Sequence, residues 1–172
     1  DAGGSTLTVG QSTDVGLGQL TGVVVTGGGD GQVSITTAAD SLTVTQNVTA
    51  IGTGTVSLSA GGTDTTYLQS GGTVDSADQA ITITADRIDL GGGGIGSSNE
   101  EVTLQPQSTD ETITLGETDE GDFDLDDTEL DYINVNGGAG ILNIGRPAGD
   151  GGAVTIAADV TVSDDSDVLH LW

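Results

Sequence analysis

The chain has 172 residues, with 27 acidic side chains against two basic ones, no lysine and no cysteine, and a formal net charge of −25. Such a charge excludes nucleic acid as a partner, because nothing is present to neutralise phosphates, and the missing cysteines exclude disulfides, thiolate metal sites and a thiol nucleophile. Glycine numbers 30, proline only 2, and aromatic residues make up 2% against 34% hydrophobic overall, which fits neither collagen nor disorder and leaves a core of small stacked aliphatics.

The predicted elements are short runs in which two apolar residues flank a polar one. In chain order they are Leu7/Val9, Val23/Val25, Val33/Ile35, Leu42/Val44, Val56/Leu58, Ile81/Ile83, Ile88/Leu90 and Val102/Leu104. They continue with Ile113/Leu115, Phe123/Leu125, Ile133/Val135, Leu142/Ile144, Val154/Ile156, Val160/Val162 and Leu169/Leu171. A period of two puts each pair on one dry strand face and the residue between on the wet face. Tight Asn-Gly or Asp-Gly turns between adjacent runs are rare, so hairpins are not expected. Glycine clusters at Gly27 to Gly29, Gly61-Gly62, Gly71-Gly72, Gly91 to Gly94, Gly137-Gly138 and Gly151-Gly152 read as corners. One segment breaks the rhythm: Asp126 followed three residues later by Glu129 is a capping box, which predicts one short helical turn near 126–132 packed by Leu125, Leu130 and Ile133.

Strands this short bury too little alone. Stacking them as successive coils pairs every backbone group with its neighbours and closes the aliphatics inside a tube. The expected fold is therefore all-β, a right-handed parallel β-helix (β-solenoid) with Gly/Asp-rich corner loops, in which residues 1–172 form a single segment of a longer repetitive chain or filament. No apolar run is long enough for a signal peptide or a membrane span. The start at Asp1-Ala2-Gly3-Gly4 and the absence of methionine read as a processed or excised piece whose export signal lies elsewhere.

From residue 80 onward the phrases become specific. Ala85-Asp86-Arg87-Ile88-Asp89-Leu90-Gly91, Ile95-Gly96-Ser97, Val102-Thr103-Leu104-Gln105-Pro106, Ile113-Thr114-Leu115-Gly116, Asp127-Thr128-Glu129-Leu130-Asp131-Tyr132-Ile133 and Leu142-Asn143-Ile144-Gly145 together resemble the β-strand repeat unit of filamentous-haemagglutinin-like surface proteins. The resemblance implies an exported β-helix that forms part of a long bacterial adhesin, with structural repeats and no catalytic residue. The chain departs from that pattern where the family has a basic residue, at Gln105 and near Tyr132, and it shows no secretion domain.

Calcium is the metal that the acidic turns suit, as a hard cation taking oxygen ligands. The candidate ligands are Asp30, then Asp122, Asp124 and Asp126, then Asp150, and finally Asp164, Asp165 and Asp167; solvated turns account for the same residues. The nonapeptide calcium repeat is not met, since Leu142 stands where that motif needs Asp. Enzymatic polysaccharide cleavage on a β-helix needs a base beside carboxylates or a pair of tuned carboxyls. The only cationic or near-neutral candidates, Arg87, Arg146 and His170, sit in three separate stretches. The two arginines are expected to pair with nearby Asp, and His170 to sit on the outward parity of a last strand, so no enzyme is expected. Outward Thr pairs at Thr6/Thr8, Thr43/Thr45, Thr82/Thr84 and Thr112/Thr114 would suit ice or a crystalline polysaccharide if they stacked on one face, although Thr is also simply a good exposed strand residue. Asn47-Val48-Thr49 is a glycosylation sequon. The function expected from this is a structural or adhesive extracellular module of the cell surface. Its expected partners are further coils of the same chain or identical subunits head to tail, and a surface glycan or abiotic surface; polysaccharide binding or degradation and ice binding are the alternatives.

Overall fold

The structure, a computed structural model, describes residues 7–9, 11–12, 20–21, 23–25, 32–77, 79–97, 101–116, 123–135, 140–147, 152–161 and 168–172, with side chains from residue 32 onward. In chain order the strands are β1 (Leu7–Val9), β2 (Gln11–Ser12), β3 (Leu20–Thr21), β4 (Val23–Val25), β5 (Val33–Thr37), β6 (Leu42–Val44), β7 (Val48–Ala50), β8 (Val56–Ala60) and β9 (Thr66–Ser76). There follow β10 (Ile81–Thr84), β11 (Arg87–Ser97), β12 (Glu101–Gln105), β13 (Ile113–Leu115), β14 (Phe123–Leu125), α1 (Asp127–Leu130), β15 (Ile133–Asn134), β16 (Ile141–Ile144), β17 (Val154–Ile156) and β18 (Val168–Leu171). They build a parallel β-solenoid of about 5 turns. No helix among the described residues is long and apolar enough to cross a membrane.

The alternation read from the sequence becomes ladders along the tube. In the sheet ordered β18-β16-β12-β10-β8-β5, Val33 stacks on Val56, Ile81, Val102 and Leu142, and Ile35 on Leu58, Ile83, Leu104 and Ile144, all in parallel register. Val33 and all the others except the partly buried Ile35 lie in the core. Each such side chain contributes about 1.5–3 kcal/mol on leaving water. The sheet β1-β6-β9-β11-β15 faces it, with Leu42, Tyr67 and Ile88 in one ladder and Val48, Val74, Ile95 and Ile133 in another.

Three features differ from the sequence reading, and another, at residues 67–69, lies where that reading names no pair. Tyr67 and Gln69 point inward and Leu68 does not, because the Tyr67 hydroxyl donates to Gln69 Oε1 at 2.8 Å and Gln69 Nε2 donates to the Gly94 carbonyl at 2.9 Å. A fully paired polar relay is tolerated inside the tube. Gly71-Gly72 and Gly91 to Gly94 bend β9 and β11 without ending them, with register shifts on both sides of Gly92. β2 and β3 pair antiparallel, a small hairpin that seven residues of connection, 13–19, are long enough to permit. Finally, Val154/Ile156 and Leu169/Leu171 are not sealed: Ile156 is 61% exposed and Leu171 37%, since no further strand among the described residues pairs beyond β17 or β18. The pairs Leu7/Val9 and Val23/Val25 keep the expected register against β6 and β7, while Val162 lies outside the described residues.

The helical turn is present as expected. The Asp126 carboxylate accepts from Glu129 N at 2.8 Å and Glu129 returns the bond to Asp126 N at 2.9 Å, completing the capping box. The other Glu129 oxygen accepts from Leu90 N at 2.8 Å, which ties α1 to the edge of β11. Leu125, Leu130 and Ile133 are all buried beneath it. Replacing Leu130 by Asp would bury an unpaired charge, so hydrogen exchange should show α1 opening while β5, β8 and β10 keep their protection, because solenoid contacts are local.

One corner is stitched by a carboxylate. Asp86, 1% exposed, accepts from Asp64 N at 3.0 Å, Ser108 N at 2.6 Å and Ser108 Oγ at 2.8 Å, joining three successive corners. Arg87 reaches Asp64 at 3.8 Å, as expected, but this pair is solvent-screened and contributes little. Arg146 does not pair with an Asp among the described residues. Its guanidinium donates to the Gln107 carbonyl at 2.8 Å, because the corner at 106–107 leaves carbonyls without strand partners.

Candidate functional site

The outward face of the six-stranded sheet carries polar side chains in regular columns. Parallel register places Ser34, Ser57, Thr82, Thr103, Asn143 and His170 in one column and Thr36, Ser59, Thr84 and Gln105 in a second. Neighbours in a column are about 4.8 Å apart, and the columns are separated by two strand residues, roughly 6.6 Å. The ladder runs one residue further at its upper end, where Gly145 N donates to the Leu104 carbonyl at 2.9 Å and Trp172 N to the Ile144 carbonyl at 3.1 Å. Gly145 and Trp172 thereby extend the second column. A Cβ on Gly145 would stand 2.6 Å from the Trp172 carbonyl oxygen and 3.2 Å from its Cβ, so only glycine fits against the last strand there.

The two columns carry no carboxylate, lysine or arginine, but Glu101 stands on the same face of β12, and Thr103 and Asn143 of the first column are buried. Glu101 at the margin is tied down, accepting from Thr103 Oγ1 at 3.0 Å and from the Asn143 amide. Asn143 Oδ1 in turn lies 3.0 Å from His170 Nδ1 and accepts from Trp172 Nε1 at 3.4 Å. The two rings meet edge to face, 5.7 Å between centroids at 76°. Trp172 remains 46% exposed, fixed in orientation yet open to solvent.

The three described Thr pairs do not share one face. Thr43/Thr45 lie on β6 and its exit, Thr82/Thr84 on β10, and Thr112/Thr114 on β13 and its entry, three different sheets; Thr6 lies outside the described residues. What stacks beside Thr82/Thr84 is Ser57/Ser59 and Ser34/Thr36. Counting Ser-x-Ser with Thr-x-Thr would have exposed the array in the sequence, since both offer a hydroxyl on the wet face.

Of the calcium candidates, Asp124 and Asp126 are described, and Asp30, Asp122, Asp150, Asp164, Asp165 and Asp167 lie outside the described residues. Asp126 spends its carboxylate on the helix cap, and Asp124 stands beside Thr114 on the outward face of β14. Among the described residues no three acidic or histidine side chains converge in a way that could hold a metal ion.

A second feature is a shallow cleft of about 250 Å³ lined by Thr73, Val74, Asp75, Gly94, Ile95, Gly96 and Asn134, below the usual size of a ligand pocket. Burial raises the carboxyl of Asp75 above its usual range. Burial also raises Glu129, with the charges of Asp126 and Asp89 adding to the effect and the hydrogen bonds from Leu90 and Asp126 opposing it. A carboxyl whose folded pKa is raised adds stability that is complete below the unfolded value and disappears as pH rises through the folded one. Melting temperature should therefore climb as pH falls from neutral into the ordinary carboxyl range, the reverse of ordinary acid denaturation. The climb should flatten in Glu129→Gln, and added sodium chloride at pH 7 should reproduce part of it by screening the −25 net charge. Calorimetry across pH and salt checks both, and a fall in melting temperature over that pH range would refute the assignment.

Comparison with protein families, curated proteins and solved structures finds no match to this chain.

Proposed function

We propose that the chain is a rigid structural and adhesive module of an extracellular surface fibre or stalk. The observation that supports this most directly is the unbroken parallel ladder β5-β8-β10-β12-β16-β18. Its backbone hydrogen bonds all run along the tube axis, so tension on the axis is shared by many bonds loaded together. The similarity of residues 80–172 to filamentous-haemagglutinin-like repeats and the strong acidity support an exported setting on a cell surface, where salt screens the charge.

The last coil offers the means of extension. Ile156, Val168, Leu171 and Trp172 are all exposed there, and an uncovered strand edge of this kind pairs readily with another strand. Further coils of the same polypeptide, or an identical chain docked head to tail, would seal it, while the acidic flanks oppose lateral clumping. Five turns at about 4.8 Å each give a rod only about 24 Å long. Electron microscopy of native material provides the test. Unbranched rods one coil wide and several times that length support the proposal, and compact particles of single-chain length overturn it.

A further inference from the structure

We propose that the cleft on the outward face of β9, β11 and β15 is a slot for one arginine side chain of a protein partner, with Asp75 as the carboxylate that receives the guanidinium. This goes beyond the stalk reading and stands without it.

The slot is a missing rung in a ladder of side chains. Parallel register places Thr49, Asp75, Gly96 and Asn134 in one outward column, and Thr73 and Gly94 in a second beside it. β11 therefore offers bare backbone at both outward positions, while Asp75 below and Asn134 above stand two coils apart, about 9.6 Å. The chain itself needs neither glycine. Neither adopts the left-handed conformation, and a Cβ on Gly94 or Gly96 would come no closer than 3.7 Å to any neighbour, an ordinary contact. Gly93 next to them differs, since a Cβ there would lie 2.0 Å from the Gly72 carbonyl oxygen. What Gly94 and Gly96 do is hold open a cleft of about 250 Å³ between Thr73, Asp75 and Asn134. That is less room than a small-molecule ligand takes and suits a single side chain.

Charge selects the guest. The Asp75 carboxylate leans over the floor, with Oδ1 3.9 Å from where a Gly96 Cβ would stand, and among the described residues no cation is paired with it. Burial holds its carboxyl above the usual range, so a cation brought beside it restores what solvent no longer supplies. No second acidic side chain converges on it as a metal site would require, which leaves an organic cation. The field of a molecule with net charge −25 draws such a group in. A guanidinium fits better than an ammonium: it is flat, more weakly hydrated, and can donate two parallel N–H bonds to one carboxylate while lying on bare backbone. A second copy of this chain has little to present, because its only two basic residues are placed at corners, Arg87 beside Asp64 and Arg146 on the Gln107 carbonyl. The arginine therefore comes from a different, basic protein.

The experiment follows the backbone amide resonances of the intact, isotope-labelled chain by NMR. N-acetyl-arginine N-methylamide is titrated in at constant ionic strength, with the lysine and citrulline analogues as parallel probes. The expected result is saturable shifts centred on Gly94, Gly96 and Asn134 with the arginine probe, weaker binding of the lysine probe, and none of citrulline, which keeps the shape and loses the charge. Asp75→Asn should weaken arginine binding about tenfold or more by removing a charge-assisted hydrogen bond. Gly96→Thr should abolish it by filling the slot, and should melt at or above the parent chain, because threonine suits a strand better than glycine. The proposal is overturned if the arginine probe shifts no slot resonance, if lysine or citrulline binds equally well, or if either variant binds as the parent does. A Gly96→Thr chain that melts below the parent also overturns it, since the glycine would then serve packing and not an open slot.

Discussion

Gly93→Ala is expected to destabilise the fold by about 3–5 kcal/mol, combining the cost of left-handed backbone with overpacking. Gly93 sits at φ +90°, and a Cβ there would lie 2.0 Å from the Gly72 carbonyl oxygen and 3.0 Å from Gln69 Nε2. The carbonyl belongs to the bend of the coil below, so it cannot move without shifting β9. The amide belongs to the relay from Tyr67 through Gln69 to Gly94, and displacing it strands buried polar groups. Gly91→Ala is the matched control: its nearest contact would be Asp89 Oδ1 at an ordinary 3.4 Å, and it should cost less than about 1 kcal/mol. Urea denaturation of the two variants checks the contrast. Equal midpoints for both would refute the role given to Gly93.

Phe123→Ala should cost about 3–5 kcal/mol as well, through a cavity. The ring is fully buried and stacks on Ile113 in register, and β17 continues the ladder with Val154 opposite Ile113. Because solenoid contacts are local, the loss should not be uniform. Hydrogen exchange is expected to show β13, β14 and β17 losing protection first, with β5, β8 and β10 little changed. Phe123→Leu, which keeps most of the volume, should cost less than about 1.5 kcal/mol. A uniform loss of protection along the whole tube would count against local coupling.

The fold was legible where one chemistry acts alone. Two-residue alternation located the ladders from Val33 to Ile144 because only the dry face of a strand selects for aliphatics there, and Asp126 with Glu129 announced α1 because a capping box satisfies donors that nothing else can reach. It was illegible where two demands compete. Residues 67–69 offer no apolar pair to the sequence reading, and Tyr67 and Gln69 take the interior there because they satisfy each other and Gly94. Glycines at 71–72 and 91–94 read as corners, but a bulged strand needs the same residue at the same bend. The outward face of the six-stranded sheet was half legible: the Thr82/Thr84 pair stands out in the sequence, while the serines that stack on it are placed only once register is known. The exposure of Ile156 and Leu171 lay beyond any reading of alternation, since the pattern tells which side faces in and not whether a neighbour arrives to cover it.

The order of strands in the smallest parallel sheet bears on how the tube is made. β14 pairs with β13 on one side and packs against β11 on the other, although β13 precedes it in the chain. A chain emerging from its N-terminus can therefore wind the coils through β12 as it appears, each new strand templated by the last. At β13 that simple winding stops. The strand that lies next to β11 has not yet emerged, and β13 gains its two neighbours only once residues 123–125 slot in beneath it and residues 154–156 pair on its other side. The upper coils can therefore close only after residues 123–125 have been made, whereas each lower strand finds its partner in chain already laid down.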